Sequence, residues 1–117
     1  MGIFTRGDII SVNIKEWQHS KSKPYRPALV VIEGNGEYTI AAPITHVKKR
    51  NKYHIELHSP EDLDEGNLYY KVSYIKVNDT QPINNKSIRK IIGKVNQEKI
   101  KEVLTVLDEV LDKKLIK

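Results

Sequence analysis

The chain has no cysteine and only one methionine, one tryptophan and one phenylalanine among its 117 residues. Without thiols it forms neither a disulfide nor a thiolate metal site, which suits a reducing cytoplasm. No run of 18 apolar residues is present, so the sequence offers no membrane-spanning helix. The first residues, Met1-Gly2-Ile3-Phe4-Thr5-Arg6-Gly7, lack the charged-then-apolar pattern of a secretion signal. The expectation is a cytoplasmic protein with no membrane partner. A glycine-rich phosphate loop, a nucleophile motif and a His/carboxylate cluster at metal-ligand spacing are all missing, so neither metal nor cofactor is expected. There is no internal repeat, low-complexity tract or linker. The length suits one domain over residues 1–117 with a single core.

What is abundant is charge: 30% of the chain is charged and 38% apolar, with a net charge of +5. That surplus is concentrated. Residues 15–54 carry eight basic groups (Lys15, Lys21, Lys23, Arg26, Lys48, Lys49, Arg50 and Lys52) against three acidic ones, while the rest balances twelve against twelve. A solvated lysine-rich surface and a polyanion-binding surface both have this composition. Single-stranded RNA or DNA fits the second, since backbone neutralisation by Lys and Arg drives its affinity.

Within the basic region, Arg26-Pro27-Ala28-Leu29-Val30-Val31-Ile32 and Ile40-Ala41-Ala42-Pro43-Ile44-Thr45 flank a Gly34-Asn35-Gly36 turn. Asn-Gly is the signature of a two-residue I′ turn, whose central residues need positive φ. With Asn35-Gly36 as that turn, the register sets Arg26 opposite Thr45. A bulge at Pro43 would slip this register by a residue without separating the two by much. A cation beside a hydroxyl at a strand end makes a phosphate-handling pair.

Further strands are expected at residues 8–14, 53–57, 68–77 and 88–95, from alternation and β-branched content. Polar, basic loops are expected at 15–25 and 46–52. Residues 59–66 read as an acidic turn or one-turn helix, and 79–85 as a loop. From Asn96, a good N-cap followed by Glu98 in the first turn, Ile100, Val103, Leu104, Leu107, Val110 and Leu111 recur at helical spacing. Val106 and Leu115 widen that stripe beyond a simple core-facing face, either as spare core or as a partner surface. The fold class is mainly β with a C-terminal helix.

Arg6-Gly7-Asp8-Ile9-Ile10-Ser11-Val12, Arg26-Pro27-Ala28-Leu29-Val30-Val31, Ala42-Pro43-Ile44-Thr45 and the late Ile91-Ile92-Gly93-Lys94-Val95 before an amphipathic helix together resemble the PemK/MazF family of toxin–antitoxin endoribonucleases. The similarity runs over nearly the whole chain. It implies a small Src-homology-three-like β-barrel of the PemK/MazF–CcdB type and a homodimer. It also implies a cognate antitoxin as partner and metal-independent cleavage of single-stranded RNA to 2′,3′-cyclic phosphate and 5′-hydroxyl ends. The family's arginine of the RP motif and threonine closing the next strand match Arg26 and Thr45. Two segments depart from its pattern. Lys21-Ser22 stands where the family often has Glu-Gln, and Ser73-Tyr74-Ile75-Lys76-Val77 where it tends to have an acid-Gln-Ile-Arg-Thr run, only the charge at Lys76 being kept.

The chemistry needs a base for the ribose 2′-hydroxyl, a stabiliser for the phosphorane and an acid for the leaving oxygen. Arg26 suits the second role through its planar fork, Pro27 stiffens the backbone presenting it, and Thr45 donates a hydroxyl. His46 and His19 are the candidate proton carriers. Against them, His46 turns to the opposite face if the strand continues, and His19 is merely solvated. His54 and His58 read as structural or exposed. The RNA-binding set is Trp17, Lys21, Lys23, Tyr25, Lys48, Lys49, Arg50 and Lys76. Trp17, Tyr25 and Tyr53 either stack on unpaired bases or pack at the barrel rim. The alternatives are a silent RNA-binding module and a CcdB-like topoisomerase poison. The second family acts through a terminal Trp-Gly-Ile, whereas this chain ends Lys114-Leu115-Ile116-Lys117.

Overall fold

The computed structural model describes residues 4–13 and 25–116. Among them eight strands precede one helix: β1 (Asp8–Asn13), β2 (Tyr25–Ile32), β3 (Tyr38–Thr45), β4 (His54–His58), β5 (Leu63–Gly66), β6 (Val72–Lys76), β7 (Gln81–Asn84), β8 (Ile88–Val95) and α1 (Gln97–Ile116). They form a curled antiparallel sheet in the order β4-β6-β3-β2-β1-β8-β5, with β7 beside the first half of β3. This is the mainly β fold with a C-terminal helix that the sequence led us to expect, its sheet curled into a half-barrel.

Two cores explain why the β1 and β2 sequences are apolar almost throughout rather than alternating. On one face Ile9, Leu29, Val31, Ala42, Ile44, Leu57 and Ile75 pack under Ile100, Val103, Leu107 and Val110 of α1. On the other, Ile10, Val12, Ala28, Val30 and Ala41 are closed by Ile83 of β7. Strands buried on both faces have no side to give to polar residues. The helix begins as expected: Asn96 Oδ1 accepts the Lys99 N–H at 2.9 Å, satisfying one of the donors left open in a first turn. Leu111 of the wide stripe is 47% exposed. No helix among the described residues is long and apolar enough to cross a membrane.

The hairpin register holds where the core fixes it. Ala28 pairs with Pro43, Leu29 with Ala42 and Val30 with Ala41, the expected partners. Its tip is a correction. No non-glycine residue among those described has positive φ, so Asn35 is not in an I′ turn. Instead Asn35 Oδ1 accepts the N–H groups of Glu37 (2.8 Å) and Tyr38 (2.9 Å). An irregularity between Val30 and Ile32 absorbs the extra length, rather than one at Pro43. Gly34 is required there, because a Cβ would lie 1.6 Å from the Tyr38 carbonyl oxygen.

Three more segments differ from expectation. Residues 63–66 form strand β5 on β8 rather than an acidic helix turn. Gly66 (φ +76°) sits so close to β8 that a Cβ would meet the Ile92 oxygen at 2.2 Å. Residues 81–84 form β7 rather than loop, with Pro82 opposite Ile40; β7 pairs only with β3 among the described residues, and an edge strand tolerates the missing N–H. The strand expected over 68–77 starts only at Val72. Buried Ser59 holds the preceding loop: its N–H donates to the Lys71 carbonyl (2.9 Å). Its hydroxyl donates to Asn67 Oδ1 (3.1 Å) and accepts the Leu68 N–H (3.0 Å).

Candidate active site

The β2–β3 ladder ends at Ala28 and Pro43. Pro27 and Pro43 carry no N–H to extend it. Past this point each strand is held from its outer side. Arg26 and Pro27 pair with Val12 and Ser11 of β1, while Ile44 and Thr45 pair with Ile75 and Tyr74 of β6. Between them an open cleft of about 180 Å³ is lined by Tyr25, Arg26 and Pro27 from one strand, and by Ile44, Thr45 and His46 from the other. Leu68, Tyr69, Tyr70 and Ser73 complete its wall. Arg26 and Thr45 thus share one cleft without being ladder partners.

Thr45 Oγ1 accepts the Val47 N–H at 3.2 Å. A hydroxyl that accepts on one lone pair still has its hydrogen to give, so this turn leaves Thr45 a donor. β3 ends at Thr45, and strand alternation therefore does not govern His46. The imidazole stands in the same cleft, stacked on Tyr70 with ring centroids 4.0 Å apart and planes at 16°. Tyr69 meets Tyr70 edge-on at 4.9 Å and 85°.

Of the basic residues, Lys48, Lys49 and Arg50 are exposed on the loop that follows His46. Lys76 lies outside the cleft lining: it pairs in register with His54 and forms an ion pair with Asp79 at 3.1 Å. Tyr25 lines the cleft with the Arg89 guanidinium 5.0 Å above its ring. Tyr53 instead packs against the core under α1, with the ammonium groups of Lys52 and Lys113 at 5.1 and 5.8 Å. His54 has its pKa lowered by burial, then by the nearby Lys76, with Asp79 opposing. His58 bonds to Glu56 at 2.9 Å, outside the cleft lining. Trp17, His19, Lys21 and Lys23 lie outside the described residues. Among the described residues no three His, Asp or Glu side chains group as a metal ligand set.

Sequence reasoning missed Leu68, Tyr69, Tyr70 and Ser73, having placed all four in one strand. It also missed Arg89. The adjacent Tyr69-Tyr70 pair after Asn67 was the available signal. Its meaning depends on Ser59, ten residues upstream of Tyr69, which no local pattern reveals.

A family model described as PemK-like, MazF-like toxin of type II toxin–antitoxin system matches residues 5–111. No curated sequence matches the chain. Among solved structures, an endoribonuclease from a mycobacterial species in complex with its cognate antitoxin superposes with a TM-score of 0.71 at 12% identity, covering 93% of this chain and 95% of that one. The Mycobacterium tuberculosis toxin MazF-mt6 gives 0.68 at 16%, covering 90% and 96%. The MazE–MazF structure from Deinococcus radiodurans gives 0.70 at 17%, covering 92% and 94%.

Proposed function

Since the chain belongs to the PemK-like, MazF-like toxin family, we propose that it is the toxin of a type II toxin–antitoxin pair and cuts single-stranded RNA at the Arg26–Thr45 cleft. The observation that carries this reading is the meeting of a guanidinium, a donating hydroxyl and an imidazole in one open cleft. Arg26 holds two phosphate oxygens through its fork and opposes the charge that builds on the phosphorane. Thr45 donates to a non-bridging oxygen. His46 moves a proton at the 2′-hydroxyl or the leaving 5′-oxygen, its ring plane fixed by Tyr70. The attacking 2′-oxygen stays on phosphorus as the 5′-oxygen leaves, which gives 2′,3′-cyclic phosphate and 5′-hydroxyl ends. Arg26 supplies positive charge at the phosphate, and in this reading no metal takes part.

Lys48, Lys49 and Arg50 attract the RNA backbone, with Trp17, Lys21 and Lys23 as further contacts and His19 as a second proton carrier. Tyr25, steadied by Arg89, borders the bound strand. Lys76, tied to Asp79, contributes only long-range charge. The protein acts in the cytoplasm as a homodimer formed by a single toxin domain, and a cognate antitoxin with an acidic segment covers the basic face. A silent RNA-binding module is the second reading, favoured by Tyr74 and Lys76 standing where the family tends to have an amide and an arginine.

The test is incubation with long single-stranded RNA in EDTA, beside Arg26→Ala and Thr45→Ala. Discrete cuts with 5′-hydroxyl ends, lost in both variants and when the scissile ribose is 2′-deoxy, are expected. Binding without cutting by the folded wild type would leave the silent module.

A further inference from the structure

On its β1 side the cleft is bordered by a second guanidinium, brought there by a strand late in the chain. Val12 of β1 pairs with Arg26 of β2 on one side and with Ile88 of β8 on the other. Neighbouring strands lie about 4.8 Å apart, so the backbone at Ile88–Arg89 stands roughly 10 Å from that of Arg26. The β1–β8 register slips at this point, with Val12 opposite Ile88 but Ser11 opposite Lys90. Arg89 is the extra residue and has no counterpart on β1. A bulge of this kind bends its strand and re-aims a side chain. The Arg89 side chain is exposed, and its guanidinium stands 5.0 Å from the centre of the Tyr25 ring. That ring in turn lines the cleft.

Steadying Tyr25 does not use up this cation. An aromatic face attracts a guanidinium through its quadrupole, while the five N–H donors of the guanidinium lie in its own plane. Among the described residues Arg89 forms no ion pair with a carboxylate. Its charge and its fork therefore face the border of the cleft, where a phosphate is the matching anion. An RNA strand held at Arg26 and running past Tyr25 reaches Arg89 next.

We infer that Arg89 binds a second phosphate of the RNA, flanking the scissile one on the Tyr25 side. This rests on the ribonuclease reading of the same cleft and adds a backbone contact to it. A phosphate contact carries no base preference, so Arg89 fixes where the strand lies and not which sequence is cut.

The experiment is a cycle between the guanidinium and single phosphates. A short RNA spanning a mapped cut is made 2′-deoxy at the scissile ribose, so that it binds intact. An uncharged methylphosphonate then replaces each linkage in turn. Anisotropy gives Kd over a range of salt for wild type, Arg89→Gln and Arg89→Lys. Arg89→Gln is expected to weaken binding of the unmodified RNA roughly 10- to 150-fold. It also lowers the slope of log Kd against log salt by about 0.7, the value for one phosphate of a single strand. One methylphosphonate outside the scissile linkage does the same in wild type and adds nothing in Arg89→Gln. Arg89→Lys restores the slope but only part of the affinity, because a point charge lacks the fork. Lys101→Gln, exposed on α1 and outside the cleft lining, removes the same charge and leaves the scan unchanged. Thermal melts check that each variant is folded.

Equal salt slopes in wild type and Arg89→Gln overturn the inference. So do losses that multiply alike at every methylphosphonate, the result if Arg89 only steadies Tyr25. A variant that binds RNA normally but loses an oligoglutamate peptide also overturns it, and makes Arg89 a contact for an acidic protein. Wild type that cuts no RNA fails the parent reading instead. Salt slopes on oligouridylate then decide, and equal ones for wild type and Arg89→Gln overturn the inference separately.

Discussion

Ser59→Ala should loosen the tyrosine loop from a position outside the cleft lining. Ser59 is 6% exposed, and its hydroxyl serves two partners with different fates. Asn67 is exposed, so its Oδ1 returns to water at little cost. The Leu68 N–H sits under a half-buried side chain that packs against the main core, and it loses its acceptor where water enters poorly. An unsatisfied donor of this kind costs about 1–3 kcal/mol. The bond from the Ser59 N–H to the Lys71 carbonyl belongs to the backbone and survives. Taking about 2 kcal/mol, and a chain of this size, Tm should fall by roughly 6–12 °C if loop and core unfold together. If the loop opens alone, the fall in Tm is smaller and the Leu68 amide exchanges faster. Asn67→Ala is the control, removing only the outer bond at a cost within about 0.5 kcal/mol. Thermal melts and amide hydrogen exchange read both outcomes. A Ser59→Ala protein with Tm within about 1 °C of wild type and unaltered exchange at Leu68 would refute the account of how this loop is held.

Thr45→Val keeps the side-chain shape and strands only the Val47 N–H, on a residue 47% exposed where water replaces the hydroxyl. Melting should hardly move, while single-turnover RNA cleavage falls by about 10²–10³ and Thr45→Ser regains most of it; a valine variant within about tenfold of wild type counts against the hydroxyl donor. His54 resists protonation in the folded state, so stability is level above its ordinary pKa of 6.5. It then declines as pH drops through that value toward the lower folded pKa, because the unfolded chain takes up a proton the folded one refuses. Melts across that range should show a shallower acid decline in His54→Gln; equal slopes would disprove the effect. Asn96→Ala should cost about 1 kcal/mol through the lost cap, read as a lower urea midpoint at unchanged slope.

The paired register of the hairpin was legible because Leu29 and Val31 face one core and Ala28 and Val30 the other, and a slip of one residue would exchange all four. Its tip was not, since Asn-Gly favours a two-residue turn only when the asparagine side chain does not itself take the backbone donors. The helix was legible in both its cap and its buried stripe. Arg26 and Thr45 could be brought together from spacing alone. The aromatic half of the cleft could not, because Leu68 to Val77 has the composition of a strand. What interrupts it is Ser59, met only in three dimensions. The objection to His46 from strand alternation does not apply, because alternation predicts facing only while the strand lasts and β3 stops one residue earlier.

Pro27 and Pro43 behave as end stops of a zipper. The next tooth, Pro27 facing Ile44, would need a backbone N–H that proline does not have, so the start of the gap is written into the covalent chain. The jaws on either side belong to different ladders, one anchored through β1 and the other through β6. Their separation is therefore governed by how tightly the sheet is rolled, and a ligand that prises β6 outward would change the reach between guanidinium and hydroxyl without touching either. A residue other than proline at position 27 would give the zipper another tooth and an opportunity to close over the site.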